Sequence, residues 1–586
     1  MNKLRYLSVL LFLTLLITAC QPAPPPATAT TTQPPTATNV PAPTTTPTTP
    51  PPTATLTPLP TPTLSNPAAG REAAPISPVG ADGTLPPGTD DFPWWDDTVF
   101  YEVFVRSFYD SDGDGVGDLA GLISQLDYLN DGNPATTDDL GVTGLWLMPI
   151  QQSPSYHGYD VVDYYAVDDE YGSNEDFLRL VAAAHARGMR VIIDLVLNHT
   201  SSQHPWFQQS RDPASDKRDW YVWAEEPGQH GWQKTADGYY YALFWEGMPD
   251  LNYENPAVTA EMYEVIRFWL DDMGADGFRL DAIKHLIEEG DVVENTPGTH
   301  AWLADFYDYY KGLNPDAFTV GEVWSNSQAI RPYLDAELDS AFEFNLAETF
   351  LGSALSGRST TLSITEASVV DIYPAGQYST FLSNHDQTRA RSQLFNDEQA
   401  KVAATLQLTF PGVPFIYYGE EIGMQGAKPD ENLRRPLQWT VEGGFTTGTP
   451  WRGYHDDLAE RNVVVQETAP DSVFNHYRAL IRLRNEHEAL RIGAWQALPT
   501  AQRSVFATLR TSDEETLLVL VNLSGKPVED YALTLPAGHF VAGTQPALLL
   551  GEGALNAPVI NAQGGCDVYV PVPQLAAYGS YILQFE

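Results

Sequence analysis

The sequence has very little cysteine. Among 586 residues there are two, Cys20 and Cys566. Cys20 lies in the leader, so the folded body is expected to carry one thiol. That excludes a disulfide framework and a cysteine-built zinc site. Basic residues are scarce too: 32 Lys and Arg stand against 76 Asp and Glu, a formal charge of −44. Nucleic acid and anionic membrane surfaces need basic patches, so neither is expected as a partner. A neutral ligand suits such a surface. There is no phosphate-cradling glycine loop and no internal repeat.

"MNKLRYLSVLLFLTLLITAC" opens with Lys3 and Arg5 and runs apolar from Leu7 to Ile17. This is a secretory leader, residues 1–20. Its end, Ile17-Thr18-Ala19-Cys20, resembles a bacterial lipobox. The resemblance implies that Cys20 is lipidated and becomes the mature N-terminus. Residues 21–68 are almost entirely Pro, Thr and Ala, a composition with nothing to bury. They read as an extended, partly polyproline tether reaching to about residue 90. The expected location is extracytoplasmic, anchored by lipid to the outer face of the cell membrane.

From Asp91 the composition becomes globular. Eight short apolar runs follow: 99–108, 141–150, 189–199, 275–283, 318–324, 338–346, 378–386 and 412–421. Helical patterns such as 174–188 and 257–274 lie between several of them. Eight strands alternating with helices predict an α/β fold, a closed (β/α)8 TIM barrel over 91–487. The longest gap, about 200–256, reads as an inserted subdomain after the third strand. From 488 to 586 the pattern becomes short alternating strands, a C-terminal antiparallel β-sandwich.

Chemistry in such a barrel sits where the strands end. The third run ends Asp194…Asn198-His199, the fourth Arg279…Asp281, the fifth Glu322 and the seventh His385-Asp386. Three acids from three strands, with His and Arg and no thiol, point to two-carboxylate cleavage of a glycosidic bond. One carboxylate attacks and a protonated one donates to the leaving oxygen. In "GFRLDAIKH" a buried Arg279 beside Asp281 is best read as the cation that keeps the attacking carboxylate charged.

"DLVLNHT", "GFRLDAIKH", "GEVW" and "FLSNHD" resemble the four ordered motifs of the α-amylase family, glycoside hydrolase family 13. The resemblance spans about Asp91 to Glu586. It implies a retaining enzyme with Asp281 as nucleophile, Glu322 as general acid/base and Asp386 as a third acid gripping sugar hydroxyls. It also implies that His199, Arg279 and His385 line the cleavage subsite and that Asp194 supports Arg279. "YHGYD" adds His157, and Tyr159 as a stacking platform. Lys284 and His285 match residues holding the leaving side of the chain. "MPDLN", 248–252, resembles the version in a subgroup intermediate between oligo-1,6-glucosidases and neopullulanases, whose members are mostly α-amylases.

The expected activity is endo-hydrolysis of α-1,4-glucosidic bonds in starch, glycogen or maltodextrins by a monomer. A neopullulanase or cyclomaltodextrinase, or a transglycosylase such as a trehalose synthase, is the alternative. A non-enzymatic sugar-binding protein is disfavoured, because all three acids are kept.

"DSDGDGVGD", 110–118, sets Asp110, Asp112, Asp114 and Asp118 at positions 1, 3, 5 and 9, with the Val116 carbonyl at 7. Hard oxygens in that order suit Ca2+. Position 12 is Gly121, so this is no EF-hand, and an acidic solvated turn is the other reading. The loop also resembles a structural calcium loop of the family. A second calcium site is expected to use Asn198 and the His285 carbonyl, with an aspartate of the insertion that the sequence does not place.

Overall fold

The computed structural model describes residues 84–585. The leader, Cys20 and most of the tether lie outside the described residues. Eight parallel strands form the central sheet: β1 (Phe100–Val103), β2 (Gly144–Leu147), β3 (Arg190–Val196), β4 (Gly277–Asp281), β5 (Phe318–Gly321), β6 (Ser340–Ala341), β7 (Ser379–Thr380) and β8 (Val413–Tyr417). Their order is β6-β5-β4-β3-β2-β1-β8-β7. A single parallel bridge between Phe342 and Ser379 brings β6 and β7 together and completes the ring. The fold is the expected eight-stranded barrel.

The strands are shorter than the apolar runs. The run from 99 stops pairing after Val103 because Val105–Phe108 winds into a helical turn. The run at 338–346 forms a ladder only over Ser340–Ala341, with the one further bridge at Phe342, since Phe344 already begins a helix. A stave needs only the residues in register with both neighbours. The apolar remainder is buried as loop or helix start.

Period-2 alternation sorts each strand into an inner and an outer face. Phe100, Trp146, Ile192, Phe318, Val320 and Phe415 fill the barrel interior, while Tyr101, Leu145, Ile193 and Phe278 pack outward against the helices. Phe100 stacks on Phe415 at 4.6 Å between ring centroids and on Phe318 at 5.5 Å. The next inward positions towards the strand ends are Glu102, Asp194, Arg279 and Asp281. Apolar filling thus gives way to charge along single strands.

The helical layer includes α1 (Asn174–His185), α2 (Pro256–Arg267), α3 (Pro297–Leu313), α4 (Phe344–Ser356), α5 (Asp397–Thr409) and α6 (Val473–Glu486). Ser173 opens α1 with a reciprocal capping box to Asp176. Between β3 and α2 the insertion folds a three-stranded antiparallel sheet from Trp223–Ala224, Trp232–Thr235 and Gly238–Tyr241.

The chain ends in β9 (Ala494–Ala497), β10 (Val505–Thr511), β11 (Thr516–Asn522), β12 (Leu533–Leu535), β13 (Pro546–Leu550), β14 (Cys566–Tyr569) and β15 (Ser580–Phe585). The sheet β9-β10-β11-β15-β13 faces the pair β12-β14 across a separate apolar cluster that includes Leu509, Leu520 and Tyr581. Its other face, with Phe506, Leu517 and Ile582, joins the main core. Cys566 is a buried free thiol.

Candidate active site

Arg279 projects from β4 into the barrel and is almost wholly buried. Its Nη1 donates to both oxygens of Asp194 at 2.9 and 3.0 Å and to Asp281 Oδ1 at 2.8 Å. Its Nη2 donates to Glu322 Oε2 at 2.7 Å. Burying a guanidinium is tolerable only with such partners, and the carboxylates hold Arg279 firmly charged. The ring of Trp146 lies beneath, 5.3 Å from the guanidinium carbon.

One cation serves three carboxyl groups here, so they cannot all ionise cheaply. Burial, together with the charges of Asp281 and Asp386, pushes Glu322 up to about 7 against the pull of Arg279. Burial also raises Asp281, while Arg279 draws it back. Asp386 goes the other way. Burial opposes its charge, but the cations Arg434, Arg279 and Lys428 outweigh it and lower it to about 2. Arg434 Nη2 reaches Asp386 Oδ1 at 2.8 Å, and its Nε donates to the His385 carbonyl at 3.0 Å.

The backbone fixes the spacing of Asp281 and Glu322. Ala282 is forced into the left-handed region, φ 49°. Its N–H donates to Glu322 Oε2 at 3.3 Å. A non-glycine residue in that region is strained and persists only where its surroundings demand it.

Asp281, Glu322 and Asp386 line one cavity of about 540 Å³. His157, Tyr159, His199, Lys284 and His285 line it as well. His157 Nδ1 accepts from the Tyr159 N–H at 3.1 Å. Burial keeps His199 neutral, lowered to about 4, and its Nε2 has no hydrogen-bond partner. Lys284 donates to the Trp324 carbonyl at 3.0 Å and pairs with Glu294. His285 Nδ1 lies 2.7 Å from the Val293 carbonyl. Arg279 and His385 sit behind the wall. Both His385 nitrogens are already engaged, Nδ1 with Glu102 and Nε2 with Tyr159, each at 2.6 Å.

Several residues of the site escaped the sequence reading. Asp430 and Arg434 come from the loop after β8, where no apolar run marks a strand end. Phe244, Trp245 and Trp324 stand about half-exposed on the rim. Glu102 did leave a signal, a lone charge inside the apolar run of β1.

In the 110–118 loop, carboxylate oxygens of Asp110, Asp112 and Asp118 lie within 4.8 Å of one another. Asp114 is not in that group; its Oδ1 accepts from the Val116 N–H at 2.8 Å. Three hard, convergent oxygens fit Ca2+. At the insertion, Asp250 of "MPDLN" is fully buried. Its Oδ2, Asn198 Oδ1 and Glu288 Oε1 all lack a hydrogen-bond partner. Acceptors without donors are what a cation satisfies.

Comparison with known proteins identifies the family. The family described as "Alpha amylase, catalytic domain" matches residues 102–493. "Alpha-amylase 3" of Dictyoglomus thermophilum is 42% identical over 445 residues, 74% of this chain and 86% of that protein. "Trehalose synthase/amylase TreS" of Mycobacterium tuberculosis is 35% identical over 506 residues, 74% of this chain and 82% of that one. The crystal structure of the alpha-amylase from H. orenii superposes with a TM-score of 0.75 at 40% identity, covering 83% of this chain and 99% of that chain.

Proposed function

The chain belongs to the α-amylase family, glycoside hydrolase family 13, and from that premise we propose that it hydrolyses internal α-1,4-glucosidic bonds of starch, glycogen or maltodextrins with retention of configuration. The observation that carries this reading is the pair of carboxyl groups on neighbouring nitrogens of one guanidinium, one of them pushed up to about 7.

Asp281, held by Arg279, attacks the anomeric carbon. Glu322 gives its proton to the departing glycosidic oxygen, then takes one from water as that water cleaves the glycosyl–Asp281 ester. Retaining chemistry needs the two carboxyl groups about 5–5.5 Å apart. Asp281 and Glu322 are brought to adjacent nitrogens of one guanidinium, at 2.8 and 2.7 Å, which supports the retaining arrangement. Asp386, an anion at neutral pH, accepts hydrogen bonds from sugar hydroxyls, and Tyr159 offers the ring face.

A second reading is transfer to a sugar acceptor in place of water. The half-exposed Phe244, Trp245 and Trp324 favour it, since aromatic faces on the rim can hold an incoming sugar.

Asp110, Asp112 and Asp118 would hold a Ca2+, and Asp250 with Asn198 and Glu288 a second. When bound, the ion supplies fixed positive charge that pins each loop. Lipidation at Cys20 would tether the enzyme outside the cell.

A product time course on soluble starch, pullulan and β-cyclodextrin, with calcium and with a chelator, tests the proposal. Rapid shortening of starch to mixed malto-oligosaccharides is expected, with little attack on the other two. Comparable rates on pullulan and cyclodextrin would move the activity to the neopullulanase side. Disproportionation of maltotriose without net hydrolysis would favour transfer. No cleavage of any substrate would sink the reading.

A further inference from the structure

We propose that Glu102, on the first barrel strand and outside every motif of the site, is a positioning residue that fixes the hydrogen-bond direction of the chain running through His385 and Tyr159 to Asp194 and Arg279.

The order of the chain follows from which atoms can donate. Asp194 receives two hydrogen bonds from Arg279 and acts as an acceptor. Tyr159 Oη lies 3.0 Å from Asp194 Oδ2, so the phenol donates there. Arg279 Nη1 also reaches Tyr159 Oη, at 3.3 Å. The phenol oxygen is therefore an acceptor towards His385 Nε2, 2.6 Å away, and that nitrogen must carry a hydrogen. A neutral imidazole with hydrogen on Nε2 has a bare Nδ1. Glu102 Oε1 stands 2.6 Å from Nδ1, and the missing hydrogen lies on that contact.

The surroundings decide which end owns the proton. His385 and Glu102 are both fully buried. The charged groups facing the pair are Arg279 from β4, Asp194 from β3, Asp386 beside His385, and Arg434 and Lys428 from the loop after β8. Burial, Arg434, Arg279 and Lys428 oppose an imidazolium, and Asp386 favours it. Burial, Asp194 and Asp386 oppose a carboxylate at Glu102, against Arg279 and a hydrogen bond from the His385 backbone. The neutral acid with the neutral imidazole avoids separating charge in a dry site. Glu102 thus acts as a hydrogen-bond donor that selects one histidine tautomer. That tautomer orients Tyr159, whose ring stacks on His385 at 5.5 Å between centroids. The phenol in turn fixes the Asp194–Arg279 pair that both reacting carboxylates share.

The inference rests on the glycosidase reading for its assay, and the test separates the two. Wild type, Glu102→Leu and Glu102→Gln are compared on a maltodextrin the wild type cleaves. If the wild type cleaves no α-glucan, the glycosidase reading fails; the tautomer readout below still tests Glu102. Glu102→Leu is expected to lose about 10- to 100-fold in kcat/KM, the factor carried by one buried polar group left unpaired. The loss should fall on kcat, because the chain ends on the guanidinium and not on the sugar. Glu102→Gln, whose amide still donates to Nδ1, is expected to recover at least about tenfold of that loss. In protein with 15N-labelled histidine, His385, assigned by its absence in His385→Gln, should be the Nε2–H tautomer in wild type and in Glu102→Gln. Equal damage in Gln and Leu would mean that charge is needed, and would overturn the proposal. So would an unaffected Glu102→Leu, a change in KM alone, or an imidazolium signal. Should Glu102→Leu fail to fold, the Gln variant and the tautomer still decide it.

Discussion

Arg279 is buried at the mouth of the barrel, and Arg484 and Arg510 are buried as completely at its other end. Asp96 and Glu366 lie near Arg484 and Arg510, so the three differ in what their nitrogens donate to. Arg279 meets three carboxylates. Arg484 donates to the carbonyls of Leu408, Phe410 and Gly412 at 3.0, 3.0 and 2.6 Å. Arg510 donates to the carbonyls of Thr409 and Gly493 at 2.7 and 2.9 Å. Burial and mutual repulsion lower Arg484 to about 9, and burial lowers Arg510 to about 10. Carboxylates keep Arg279 charged beyond its ordinary range. A buried arginine is thus no mark of chemistry in itself. Carbonyls let it fasten the end of α5 and the approach to β8 onto α6 and the C-terminal sheet. Anions make it a shared counter-ion whose neighbours can react.

The contrast can be broken by substitution. Glu322→Gln should cut kcat on the order of 10⁴-fold, measured as released reducing ends, with the melting temperature unchanged. Arg279→Met strands three carboxyl groups without a cation. It should abolish measurable turnover and destabilise the fold by about 3–5 kcal/mol, read by urea unfolding. Arg484→Met should cost about 1–3 kcal/mol by the same measurement, through its unpaired carbonyls, while turnover per folded molecule holds. An Arg484→Met enzyme that melts normally but turns over slowly would erase the distinction.

Acidity sharpens it. Glu322 works as an acid, so it must carry its proton, and its pKa of about 7 sets the alkaline limb. Above pH 7, kcat/KM should fall roughly tenfold per unit. Asp386, near 2, is ionised across that range and adds no limb there. A profile flat to pH 9 would place Glu322 in another role. The smallest effect is expected at the 110–118 loop. Chelation should lower the melting temperature by a few degrees, and Asp112→Asn should mimic it without altering the pH profile.

The sequence made the mouth legible because β1, β3, β4 and β5 each pass from apolar filling to charge within a few residues. Arg279 stood out for that reason, and the same argument applies to Glu102, whose charge also interrupts an apolar run. Strand lengths were less legible. Ser340–Ala341 and Ser379–Thr380 are two-residue staves inside longer apolar runs, and composition does not tell pairing from burial in a loop. Arg434 and Asp430 were hidden for the opposite reason. They lie in a polar loop whose path over the mouth is set by tertiary contacts. Asp250 sat in a recognised motif, yet its buried, unpartnered oxygen is a fact of three dimensions.

The join between β6 and β7 has a mechanical meaning. Every other neighbouring pair of staves is tied by a ladder, and this pair by one bridge. The ring is therefore least tied by backbone pairing at this join, with a Ser340–Ser379 side-chain hydrogen bond at 2.8 Å beside the bridge. Glu322, Arg279 and Asp281 hang from consecutive staves on one side of the join, and Asp386 follows the stave on the other. The nucleophile and the acid thus share one unbroken ladder of strands, and Asp386 reaches them through Arg434 and His385 rather than through strand pairing.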